Sequence, residues 1–260
     1  MGSHLTGTNS SHIRRRRSWH HLADMFIEME RHPFNMIGSL MPSHGQLQGV
    51  DVRGIANHAT FNTEVSPAVP LGPFKSSDAA AHAEVQFYLG VIASGEIGGA
   101  VDNSSFPIDA FLAHKFRLVF ILNKPETWKR SPKEEEMDRH GLQELVFSSP
   151  YMMWPVGPFY EGSNELSDDE TRFAAMFRER KRDDLADCVL HGRKAQRFHF
   201  AIGPAIGAGV NRADFESLFA GLASEFGLAD YKGWEDWKAK ALVEYKGNPV
   251  LERLLENDGN

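Results

Sequence analysis

The sequence predicts a mostly α fold of the α+β type, with few short strands. Three observations carry that expectation. Apolar residues recur at a period near 3.6 along most of the chain, and helix-capping residues stand where those stretches start or stop. The one run that invites a strand reading, FRLVFIL at 116–122, lacks the strict alternation of a half-buried strand.

The first periodic stretch is SWHHLADMFIEMER at 18–31. Trp19, Leu22, Met25, Phe26 and Met29 fall at helical spacing, Ser18 is the expected N-cap, and Pro33 stops the helix. Residues 35–75 read as loop with short extended pieces, punctuated by Gly38, Pro42, Gly49, Gly54, Pro70, Gly72 and Pro73. A second helix follows, with Ser77 or Asp78 as cap. Ala80, Ala83, Val85, Phe87, Tyr88, Val91 and Ile92 fill it, and Gly95 closes it. Residues 106–122, FPIDAFLAHKFRLVFIL, read as a third helix. Ser104 or Ser105 caps it, Pro107 sits in its first turn, and Ile108, Phe111, Leu112, Lys115, Phe116, Val119 and Leu122 keep the helical period. His114 is then a helical residue, outside any tight loop containing Asn123.

Asn123 and Pro125 end that helix. Residues 124–141 read as a solvated loop or a short surface helix, and LQELVFSSPYMMWP at 142–155 as an apolar patch. The remaining third is strongly helical. Ser167 and Glu170 form a capping box ahead of Phe173, Met176 and Phe177. Asp183 or Asp184 starts a helix expected to run through Leu185, Cys188, Val189, Ala195, Phe198 and Ile202 to Gly203. Phe215 to Phe226 mark the next helix, closed by Gly227. Trp234 to Tyr245 mark another, and Pro249 opens a short last one. The expected organisation is a disordered basic leader at 1–17, a helical body at 18–256 and a tail at 257–260.

Composition narrows the function. A net charge of −7 argues against a general nucleic-acid binder. No apolar run reaches the length that spans a bilayer, and the polar, basic start lacks the apolar segment of a secretory signal. With Cys188 as the lone cysteine, these features point to a reducing, cytoplasmic setting without membrane partners. Arg14–Arg17 read either as a nuclear-localisation or anionic-surface patch, or as part of a solvated leader.

Candidate chemistry is sparse. His20 and His21 are adjacent on a helix and point to different faces, so they cannot chelate together. No H-E-x-x-H and no G-x-S-x-G occurs, and Cys188 sits at an apolar helical position. GPAIGAGVN at 203–211 is Gly-rich and precedes a helix, but it lacks G-K-[ST] and G-x-G-x-x-G and reads as a connecting loop. KEEEMD at 133–138 is the densest carboxylate cluster. Glu134, Glu136 and Asp138 can lie on one turn and hold Mg²⁺ through oxygen ligands, or they form a solvated acidic face.

Several stretches, taken in order, resemble the fungal aminoglycoside-phosphotransferase-like proteins. They are LADMFIEMERHPFNMIGSL (22–40), GIANHATF (54–61), LGPFKSS (71–77), VDNSSFPIDAFLAHKFRL (101–118), ELVFSSPYMMWPVGPFYEGSNELSDDE (144–170) and DDLADCVLHGRKAQRFHFAIG (183–203). The most telling pair is ERHPFNMIGSL followed by GPF. The resemblance covers most of residues 19–256.

It implies the helical C-lobe of a protein-kinase-like phosphotransferase, with ATP and Mg²⁺ as cofactors if the protein is active and a small-molecule hydroxyl as acceptor. The family's ATP-binding lobe, with its positioning lysine, should precede residue 18, where a short basic leader stands. Its catalytic loop, with an Asp base and a Mg²⁺-binding Asn, should follow the helix at 106–122. This chain has NKPETWKRSPKEEEMDRHGLQ there, with no H-x-D and no D-x-x-x-x-N. Glu134 and Glu136 fall near the family's second metal-binding acid, but the apolar strand around it is missing. No catalytic Asp or Asn carries over. The expectation is a catalytically degenerate kinase-like lobe that binds a small molecule or a protein partner. The alternatives are an active phosphotransferase whose site is rebuilt from Glu134, Glu136 and Asp138, and an interaction module.

Overall fold

The computed structural model describes residues 7–32, 35–43, 49–55, 71–95, 106–122, 149–200, 212–228 and 230–258. These residues are mostly helical, with a single two-stranded antiparallel sheet. The first helix, α1, runs Gly7–Glu30. Its start corrects one expectation, since Ser18 lies inside the helix and is not its N-cap. The stretch 8–17 contains neither Gly nor Pro and includes four arginines, which are good helix formers. Once Trp19 to Ile27 are packed, extending the helix backward adds one hydrogen bond per residue fixed.

Strand β1 (Ser39–Pro42) pairs with β2 (Val50–Arg53), in the register Ser39 opposite Arg53 and Pro42 opposite Val50. Gly38 is needed at the entry, because a Cβ there would stand 2.0 Å from the Arg53 carbonyl oxygen. The chain then closes on itself. Ile37 and Phe74 exchange backbone hydrogen bonds of 2.7 and 2.8 Å, and Ile55 donates to Leu71 at 2.6 Å. The two sequence stretches that form the telling pair therefore lie side by side.

Helix α2 (Ser77–Ser94) is capped by Ser76, one residue before the expected position. Ser76 has extended backbone and its hydroxyl accepts from the Ala79 N–H at 3.2 Å, whereas Ser77 is already helical and buried. Gly95 closes the helix with φ 80°, as expected. Helix α3 (Phe106–Leu122) packs against α2, which settles the FRLVFIL run as helix. A 3₁₀ turn at Tyr151–Met153 and helix α4 (Val156–Tyr160) lead to α5 (Asp168–Glu179), which carries the capping box of Ser167 and Glu170.

The single helix expected from Asp183 to Ile202 is two. Helix α6 (Asp183–Leu190) ends at His191–Gly192, and α7 (Arg193–Phe200) sets off anew. Glycine disfavours helix continuation, and the break points Arg193 inward at the α5 carboxylate Glu170. Helices α8 (Arg212–Glu225), α9 (Trp234–Glu244) and α10 (Pro249–Asp258) complete the described chain.

Two apolar cores result. The larger joins α2, α3, α8, α9 and α10 around Phe111, Phe116, Phe215, Phe219 and Trp234, with Phe198 reaching in from α7. The smaller joins α1, α5 and α6 around Ala23, Phe173, Phe177, Leu185 and Val189. Cys188 lies in the smaller core, buried as its position in the sequence suggested. Ion pairs pin α1 to the α5–α6 corner. Arg180 donates to Asp24 at 2.6 Å, and Arg182 reaches Glu30 from one side and Asp184 from the other.

Helix α7 sends Phe198 into the larger core and is tied to α5 by the Arg193–Glu170 pair. The Arg197 guanidinium is fully buried and passes over Gly221 of α8, where a Cβ would stand 2.4 Å from its Cζ. Gly221→Ala should therefore destabilise the fold by about 2 kcal/mol, because the guanidinium can move only by giving up its carbonyl partners. Urea denaturation checks this, and an unchanged midpoint would show that Arg197 has room to shift.

Candidate functional site: a carboxylate–imidazole cluster between three helices

Helix α2 is apolar on its packed face except for Glu84 and Tyr88, which lie one turn apart. On α3 the buried polar side chains are Asp109, which pairs with Lys238 of α9, and His114 and Arg117, which lie three residues apart and so on one face. The packing of α2 on α3 brings Glu84, Tyr88, His114 and Arg117 together, and the last turn of α7 adds His199.

Arg117 organises the cluster. Its side chain is completely buried. It donates Nη2–H to Glu84 Oε1 at 2.9 Å and Nη1–H to His114 Nδ1 at 3.1 Å, and its Cζ lies 4.4 Å from the centre of the Phe198 ring. The other carboxylate oxygen, Glu84 Oε2, lies 3.1 Å from His199 Nδ1. A carboxylate only accepts, so the His199 proton sits on Nδ1, and in the neutral ring the lone pair falls on Nε2. The His199 side chain is 40% exposed, against 24% for Glu84. The pair thus couples a partly exposed imidazole to a carboxylate that is itself held by a buried arginine.

Burial alone would raise the Glu84 carboxyl. The hydrogen bond with His199 and the charge of Arg117 outweigh it and hold the group at about 2. His114 behaves oppositely. It is wholly buried, stacked on Tyr88 with centroids 5.1 Å apart, and burial followed by the Arg117 charge pushes it well below the usual imidazole value. Since Nδ1 accepts from Arg117, the neutral ring carries its proton on Nε2, which has no hydrogen-bond partner among the described residues. Burial, with the Glu84 charge, pushes the Tyr88 phenol up to about 12. The cluster therefore has an ionised acid, a neutral buried histidine and an outward histidine. Chemically it can accept a hydrogen bond or proton from a ligand at the His199 edge.

The residues singled out in the sequence fare unevenly. His20 lies against Arg180, within 3.4 Å, while His21 is exposed, so the two histidines do diverge. His114 is helical, and its part is to support Arg117. Glu134, Glu136 and Asp138, and the Gly-rich stretch 203–211, lie outside the described residues. Among the described residues no group of three or more His, Cys, Asp or Glu side chains is placed to hold a metal ion. None of the described helices is long and apolar enough to cross a membrane. Glu84, Arg117 and His199 went unnoticed in the sequence. The available signal was the placing of Glu84 and Arg117 inside strongly apolar helices, since a charge there requires a partner of opposite sign. No family model matches the chain, and no curated protein or solved structure matches it.

Two outcomes are expected. Glu84→Gln should destabilise the protein by about 3 kcal/mol, because Arg117 stays buried with a neutral partner; chemical denaturation near pH 7 measures it. The second concerns acid. His114 titrates lower folded than unfolded, so the unfolded chain takes up its proton first and stability falls as pH drops below 6.5. Glu84 adds to the loss between 4.5 and about 2, where its unfolded carboxyl protonates before the folded one. His114→Phe should flatten the loss of stability that sets in as the pH falls below 6.5. Denaturation curves across that range would refute this if the variant kept the full slope.

Proposed function

We propose that the chain is the helical lobe of an aminoglycoside-phosphotransferase-like protein. In this reading it binds a small molecule or a protein partner and does not itself transfer phosphate. The observation that carries the reading is the segment after α3. There the family's fold requires an Asp base and a Mg²⁺-binding Asn, and this chain reads NKPETWKRSPKEEEMDRHGLQ. Phosphoryl transfer rests almost wholly on positioning and on charge neutralisation by metal, lysine and an oriented base. Glu134, Glu136 and Asp138 supply carboxylates in that segment, but without the spacing that joins a base to a metal ligand.

Two features of the fold support the family reading. The order of elements runs from a short hairpin through the paired helices α2 and α3 to a helical C-terminal half. The IGSL and GPF stretches also meet through the Ile37–Phe74 bridge. For binding, the partly exposed His199, held by Glu84 at the end of α7, offers a polar group.

Thermal unfolding with and without nucleotide tests this reading. A native-state nucleotide site raises the midpoint, by the equivalent of about 2.7 kcal/mol at a hundredfold excess over Kd. The expected result with millimolar ATP and Mg²⁺ is no shift. A rise accompanied by ADP release in the presence of an acceptor alcohol would establish an active phosphotransferase and overturn the proposal.

A further inference from the structure

Packing secures α1 less than it secures the helices of the larger core. Trp19, Leu22, Phe26 and Ile27 pack against α5 and α6 but stay partly exposed, and of the α1 residues in the smaller core only Ala23 is fully covered. Helix α3, by contrast, buries Phe106, Ile108, Phe111, Leu112 and Phe116. Local stability follows buried apolar contact, so α1 opens more readily than α3.

Polar contacts make up part of the difference. Arg180 and Arg182 flank Lys181 at the corner between α5 and α6. Lys181 has φ 60°, a left-handed conformation that residues other than glycine seldom adopt. Both arginines reach α1 from this corner. Arg180 donates Nε–H to Asp24 at 2.6 Å and Nη2–H to the His20 carbonyl at 3.2 Å. Arg182 reaches Glu30 while Asp184 holds its other side. Asp24 is 60% exposed, and a pair so open to water forms and breaks at little cost.

These contacts specify what the α5–α6 face accepts. Its ligand is an amphipathic helix with an apolar stripe that includes Phe26, edge-on to Phe173 with centroids 6.3 Å apart. The ligand also carries carboxylates before and after that residue, where the two arginines stand. Every copy of the chain carries such a helix. We propose that α1 is an exchangeable helix: it leaves the α5–α6 face as a unit while the larger core stays folded, and the face then binds the α1 of a second copy. This does not rest on the phosphotransferase reading.

Hydrogen exchange of the full chain in dilute urea, followed by mass spectrometry, tests the release. Amides of residues 19–30 should exchange through an opening about 100-fold more frequent than that of residues 106–117. Arg182→Gln should make that opening about 10-fold more frequent again and leave residues 106–117 unchanged. A synthetic peptide of residues 18–32 tests the exchange, since it carries the α1 contacts of another copy. Added to the full chain, it should bind saturably, and the same peptide with Asp24→Asn and Glu30→Gln should bind about 10-fold more weakly. Light scattering should show a dimer fraction that grows with chain concentration and shrinks when the peptide is added. Three results would overturn the proposal. They are α1 amides that exchange only when residues 106–117 do, equal binding of the two peptides, or a chain that stays monomeric up to about 1 mM.

Discussion

Two arginines one turn apart on α7 hold together parts of the chain that have no sheet to join them. The segment 149–167 is a 3₁₀ turn, a five-residue helix and extended backbone. Its inward carbonyls need donors, because a buried backbone group without one is costly. Arg197 supplies three bonds, to the carbonyls of Phe159 and Ser163 at 2.9 and 2.6 Å and to the Asn164 side chain at 2.7 Å. Its Cζ also lies 3.8 Å from the centre of the Phe159 ring. Burial, then the neighbouring charge of Arg193, pulls its pKa down to about 10, which still leaves it charged near neutrality. Arg193 completes the work. It donates to the Glu165 carbonyl and to Glu170, both at 2.8 Å. Glu170 in turn takes the Ser149 hydroxyl at 2.6 Å and caps α5. One carboxylate thus closes a capping box, neutralises a buried arginine and anchors the segment's first described residue.

That arrangement decides what lies at the end of α7. Arg193 and Arg197 are four residues apart and face the irregular segment, so the helix cannot rotate about its axis without losing both. With the rotation fixed, Phe198 goes into the larger core beneath Arg117, His199 meets Glu84, and Phe200 enters the aromatic group of Tyr151 and Trp154. Three consecutive residues therefore serve three different neighbourhoods. The polar cluster and the aromatic patch are set by the same helix, and both depend on the Glu170–Arg193 pair some distance away.

Much of this was legible in the sequence at the level of single elements. The Ser167–Glu170 box, the Gly95 and Gly227 stops, and the helical character of 106–122 follow from local chemistry that acts within a few residues. The errors have the same local origin. Ser18 has a good cap side chain, but a cap forms only where the preceding residues leave the helix, and here they do not. The run from Asp183 to Ile202 has a nearly continuous apolar period, so Gly192 alone was too weak a signal to divide it. The site was less legible. Glu84, Arg117 and His199 are far apart in the chain, and nothing local pairs α2 with α3 and α7. Each charge showed that a partner must exist, and the packing of three helices showed which one.

The charge between α2 and α3 raises a further physical point. A buried ion pair seldom adds stability over apolar residues of similar volume, because removing two ions from water costs about as much as their attraction returns. Its effect is on choice of arrangement. Outside the cluster of Glu84, Tyr88, His114 and Arg117, the interface is made of Val, Phe, Leu, Ile and Ala side chains, which tolerate sliding by a turn with little change in buried area. A one-turn slip would leave Arg117 buried without Glu84 and His114 without the Tyr88 ring. The same slip would carry Glu84 away from His199 and dissolve the oriented imidazole. The polar cluster therefore fixes the register of α2 against α3, and the Glu84–His199 pair exists only in that register.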